Sequence, residues 1–223
     1  MLRALLLKEW IKLRRLAWVP PVLVAAAIID AWLTMRAIRN NHGAVQVWNA
    51  LVTKQDIHFD RLSYVLPFCG MWVACVQFLP ECTGKRLRLL FHLPVSHGRA
   101  LAVPVLVGLA AVAAVSVLTL AGLWAVFSLG FHLPVELAGP MLQTVLPWCV
   151  AAAVAYLATA AAVADPALHR RIALALAGFA FVAMLIRTSG FAGMSGSLPG
   201  YVLLSLAWLL PVHAAALRVK EGR

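Results

Sequence analysis

The sequence predicts an all-α integral membrane protein with six transmembrane helices. Apolar residues make up 63% of the chain and charged residues 12%, and the mean hydropathy is +0.90, outside the range of soluble globular domains. Apolar runs close to the ~20 residues that a bilayer-spanning helix needs recur along the whole length. Neither a second domain nor an internal repeat is visible, so residues 1–223 read as one transmembrane domain.

The first element is the basic stretch MLRALLLKEWIKLRRL. Leu2, Leu6 and Leu13 gather on one helical face, while Lys8, Lys12 and Arg15 recur at i, i+4 and i+7 on the other. This pattern predicts an amphipathic helix in the membrane interface, apolar side down. Glu9 falls near the apolar face, a costly position unless the carboxylate is paired or turned toward protein. The basic region is long and no small-x-small site follows the apolar run, so uncleaved insertion is expected.

The spans are placed at about 17–35, 62–80, 101–131, 141–164, 172–187 and 201–217. The third is long enough to tilt or to project beyond the lipid. With an even number of spans both termini share a side. Placing them in the cytoplasm puts 14 of the 19 Lys and Arg residues there and 5 outside, which satisfies the positive-inside rule. The first outer loop, with Arg36, Arg39, Lys54 and Arg61, opposes this locally. The net charge of +11 is thereby accounted for by an anionic leaflet, without nucleic acid. A multi-pass protein of the inner, cytoplasmic membrane is expected.

Between spans two and three the chain reads ECTGKRLRLLFHLPVSHGR over residues 81–99. Leu87, Leu90 and Phe91 form an apolar stripe at i, i+3 and i+4, opposite Lys85, Arg88 and His92, with Arg86 beside them. Glu81 follows Pro80, where a helix leaving the membrane can restart. Pro94 ends the short helix, since the residue before a proline is pushed from the α region. Ser96 can cap the next helix, with the third span beginning near Arg99. The pattern fits a helix floating among lipid headgroups and equally a helix gripped by a soluble partner.

This stretch resembles the cytoplasmic segment between the second and third spans of type-2 ABC exporter permeases, in which a Glu, a Gly-Thr-Leu-Glu-x-Leu-Leu-like helix and Pro-Val-Ser-Arg follow one another. Glu81, Leu87, Leu90, Pro94, Val95 and Ser96 match in order. His97 stands where Arg is usual, Arg88 where an acid is common, and Gly84 is one position early. The family also has an in-plane helix ahead of the first span, often with a Lys-Glu pair, as in Lys8 and Glu9. The resemblance implies a transmembrane subunit of an ATP-driven exporter, paired with a second permease, identical or related, and resting on ABC ATPase subunits. It implies that Glu81, Arg86, Leu87, Arg88, Leu90, Phe91, Pro94, Val95 and Ser96 form the coupling helix and its flanks. It also implies no cofactor on this chain, with ATP and magnesium held by the partner. The sequence agrees on one point: Gly84-Lys85 is the only Gly-Lys pair, and Leu79 stands where a phosphate-binding loop needs its first glycine. A haem-exporter-like permease is similar in length and span number, but no haem ligand pair is evident.

Ionisable residues within spans are candidate pathway residues by default. Asp30 stands 13 residues beyond position 17, about 20 Å along a helix, beside Trp32; it serves either as a pathway residue or as a carboxylate reaching outer headgroup water. His213 sits in the last span and reads as a pathway residue or a hydrogen-bonded structural imidazole. Prolines 67, 104, 147 and 211 permit kinks. Cys69, Cys75, Cys82 and Cys149 form no C-x-x-C pair and suggest no metal site.

Two other classes deserve comparison. Gly193-Met194-Ser195-Gly196 spells a G-x-S-G, and with His213 suggests an intramembrane serine hydrolase. A nucleophile needs its base within hydrogen-bond reach, and these two stand near opposite ends of the last span. A channel needs a polar ring or filter, for which only Asp30 and Arg187 are at hand. So few charges in the spans favour an amphipathic or lipidic cargo. The sequence leaves open whether the complex exports, imports or only transmits force.

Overall fold

In a computed structural model the chain is described over residues 2–43, 45, 48–83, 97–187 and 190–221. Every regular element among them is helical: α1 (Leu2–Arg14), α2 (Val19–His42), α3 (Leu62–Thr83), α4 (His97–Ala125), α5 (Val135–Ala164), α6 (Leu168–Ile186), α7 (Leu198–Leu206) and α8 (Leu209–Glu221). Short π-turns occupy Asn49–Thr53 and Val126–Gly130. Six stretches are long and apolar enough to cross a membrane, the last formed by α7 and α8 together. The expected architecture of six spans is therefore present.

Several boundaries moved. The first span runs on to His42, and Arg36 lies on it with its guanidinium 5.1 Å from the Trp32 ring. The fourth starts at Val135 rather than 141, directly after Pro134, whose fixed φ suits a helix start. Glu81 does not restart a helix, because α3 continues through Pro80 and Glu81 to Thr83. The last span is broken at 207–208. Pro211 has no N–H to offer the Ala207 carbonyl, which accepts instead from the Leu210 N–H at 3.1 Å.

Helices α3 and α5 are the most enclosed spans, and α6 the least. Small residues let them approach. A side chain at Gly70 of α3 would place its Cβ 2.0 Å from the Ala152 carbonyl oxygen of α5, and one at Gly178 of α6 would come 2.4 Å from the Ala158 Cβ. Close packing of this kind, rather than hydrophobicity, joins helices in lipid.

At the end where α2 finishes and α3 begins, Phe59 is buried between Phe127 (ring centroids 5.7 Å apart) and Trp148 (5.8 Å). The Ala192 N–H donates to Thr144 Oγ1 at 2.9 Å, and the Phe191 N–H donates to Gln55 Oε1 at 3.4 Å. At the opposite end, which carries both termini, the fully buried Asp165 accepts from the Ala167 N–H at 2.9 Å and from Arg218 at 2.6 Å. That contact ties α8 to the α5–α6 turn.

Candidate functional site

Four helices meet in a buried polar junction at the end that carries the termini. Lys8, Glu9 and Lys12 come from α1, Gln77 and Glu81 (one turn apart) from α3, the Pro104 carbonyl from α4 and Tyr156 from α5. Lys12 Nζ lies 2.7 Å from Glu9 Oε1 and 2.5 Å from Glu81 Oε1, and Lys8 Nζ lies 2.5 Å from the same Glu81 oxygen. The Gln77 amide donates to Glu9 Oε2 at 2.9 Å and to the Pro104 carbonyl at 2.6 Å. Its own oxygen accepts from the Tyr156 hydroxyl at 2.8 Å.

Burial gives this network its weight. Glu9 and Glu81 are each 2% exposed, and Gln77 and Tyr156 are fully enclosed. Removing a carboxylate from water costs several kcal/mol unless it is paired and hydrogen-bonded. Two lysines and two glutamates make the group electrically neutral, and Lys8, with a side chain 39% exposed, carries it to the surface. Glu81 Oε2 is buried and has no hydrogen-bond partner among the described residues.

Local sequence explains the geometry. On α1 the 8/9/12/13 face is turned against α3 and α4, with Leu13 buried and Leu6, Leu7, Trp10 and Ile11 exposed. The basic face expected to meet water thus makes the protein contact, and Glu9, costly in lipid, is paired. Gly108 admits the phenol: a Cβ there would lie 2.1 Å from the Tyr156 oxygen.

The remaining sequence candidates disperse. Arg86, Leu87, Arg88, Leu90, Phe91, Pro94, Val95 and Ser96 lie outside the described residues. Arg15 is exposed and meets no carboxylate among the described residues. Asp30 pairs with Arg61 at 2.6 Å at the opposite end of the bundle, with side chains 35% and 69% exposed. His213 is exposed on α8, and Ser195 is exposed in the turn before α7. No hydrogen bond joins those two, so no Ser-His pair forms. No cluster of metal-ligating residues occurs among the described residues.

Sequence reasoning missed Gln77, Tyr156 and Pro104 as partners because it searched spans for charge. A signal was present: Gln77 stands four residues before Glu81 in an apolar span, and Tyr156 is the one aromatic in an alanine-rich run.

A family model described as "ABC-2 family transporter protein" matches residues 5–187. The match takes in α1 and the first five spans. Comparison with curated proteins and with solved structures gives no match.

Proposed function

Because the chain belongs to the ABC-2 family of transporter proteins and is a multi-pass membrane permease, we propose that it is the transmembrane subunit of an ATP-driven exporter whose ATPase is a separate chain. The junction of Lys8, Glu9, Lys12, Glu81, Gln77 and Tyr156 is the observation that carries this reading. On it, residues 85–93 form a coupling helix that the ATPase seats with Leu87, Leu90 and Phe91. Basic residues there add only ~0–1 kcal/mol per exposed pair.

Glu81 stands two residues before the end of α3, so a push on the adjoining segment reaches it first. Its ion pairs hand the displacement to α1, and Gln77 one turn deeper hands it to the α4 backbone and, through Tyr156, to α5. Short charged contacts in a low-dielectric site resist separation, so the four helix ends move together. ATP and magnesium act on the partner, and this chain performs no chemistry of its own.

The termini face the cytoplasm and the membrane is the inner one, as the excess of basic residues at that end supports. The cargo is amphipathic or lipidic. A groove of about 470 Å³ between α3, α5 and α6, lined by Tyr64, Phe68, Met71 and Phe179 among others, offers such a cargo an apolar surface. A second permease, identical or related, completes the transmembrane part.

Gentle purification from native membranes, with mass identification of what accompanies the chain, tests this. A soluble ATP-binding chain in equal amount is expected. Recovery of this chain alone, or with membrane proteins only, would refute the assignment.

A further inference from the structure

Around the turn at residues 15–18, where α1 gives way to α2, a groove opens at the side of the helix bundle. Its outer part, about 570 Å³, runs between Lys12, Arg15 and Leu16 on one side and Trp72, Val76 and Leu79 on the other. A deeper part of about 370 Å³ continues past Trp72 and Val76 to Pro20, Ala114 and Leu118. The two share Leu16, Trp72 and Val76, and the deeper part is almost wholly apolar. Each falls in the size range of small-molecule sites.

Three observations specify an occupant. Trp10 and Trp18, 62% and 61% exposed, mark the headgroup level, where indoles concentrate. At that level the Arg15 guanidinium is exposed and has no carboxylate partner among the described residues, while Lys12 adds a second cation already shared with Glu9 and Glu81. Deeper in the groove the walls are almost wholly apolar, from Leu16 and Trp72 to Ala114 and Leu118. A cationic rim with an apolar trough below it reproduces in order the phosphate and the acyl chain of a lipid.

We propose that this groove holds one anionic phospholipid, with its phosphate at Arg15 and Lys12. An acyl chain lies along Leu16, Val76 and Ala114. The site is independent of the ATP-coupling reading, since a resident lipid is required neither by an ATPase partner nor by its absence.

Native mass spectrometry of the full chain, equilibrated with a mixture of phosphatidylglycerol and phosphatidylcholine, tests it. Wild-type protein is expected to keep one phosphatidylglycerol in preference to phosphatidylcholine. Arg15→Gln, at an exposed position, should lower that preference about five-fold, the share of one surface cation. Ala114→Phe, which fills the trough from an exposed position, should lower total retention. If Ala114→Phe does not elute as folded protein, Arg15→Gln decides. Equal retention of the two lipids by wild-type protein, or an unchanged preference in Arg15→Gln, would mean ordinary annular lipid and would overturn the proposal.

Discussion

Replacing Lys12 with methionine keeps the length of the side chain and removes its charge from a neutral cluster. Among the described residues Glu9 then retains only the Gln77 amide, and Glu81 only Lys8. Two carboxylates, each 2% exposed, face one lysine, leaving a net charge of −1 in a buried site. Breaking a buried pair in this way costs ~3–5 kcal/mol. Lys12 itself is 16% exposed, so water relieves part of the charge and the lower end, ~3 kcal/mol, applies. Glu9→Gln added to Lys12→Met restores neutrality, and the double variant should recover ~1–3 kcal/mol relative to the sum of the singles. Chemical unfolding of the purified chain in detergent micelles, followed for wild type, both singles and the double, measures each term. Lys12→Met within ~0.5 kcal/mol of wild type, or a strictly additive double, would refute the view that these charges act as one buried unit.

Other perturbations separate scaffold from surface. Gly70→Ala sets a Cβ 2.0 Å from the Ala152 carbonyl oxygen, a backbone atom that cannot swing aside. Its cost should reach or pass the ~1–3 kcal/mol usual for overpacking, read as a loss of monodisperse protein on size exclusion. Arg218→Met leaves the fully buried Asp165 carboxylate without its cation and should lower stability by ~3 kcal/mol, whereas Asp165→Asn together with Arg218→Met should be milder; thermal unfolding distinguishes them. Asp30→Asn breaks a pair whose partners are 35% and 69% exposed, so unfolding should change by no more than ~1 kcal/mol. A larger loss would mean that Asp30 does more than pair at the surface.

Span number and approximate position were legible because lipid forces each crossing to be a continuous apolar helix. Boundaries were less so: Arg36 and Arg39 continue α2 as helix although charge suggested a loop. The break at 207–208 has its cause in Pro211, four residues on, and the sequence shows the proline without showing which carbonyl it abandons. For the junction, periodicity placed Lys8 and Lys12 on one face and identified Glu9 as needing a partner. It could not say that this face turns toward α3, because an amphipathic pattern gives two faces and not what covers each. Gln77 and Tyr156 stand 79 residues apart, a pairing that no local spacing rule reaches.

The central claim is that the junction transmits force between an ATPase and the spans. Tyr156→Phe addresses it most directly, since it retains the ring in its Gly108 notch and removes only the hydroxyl that Gln77 accepts from, at a cost of ~1–3 kcal/mol. ATP turnover of the assembled complex is the measurement, compared with that of the ATP-binding chain alone. The account predicts that the variant still assembles with its partner, yet its turnover falls toward that of the isolated ATP-binding chain. Wild-type turnover in an assembled Tyr156→Phe complex would contradict it.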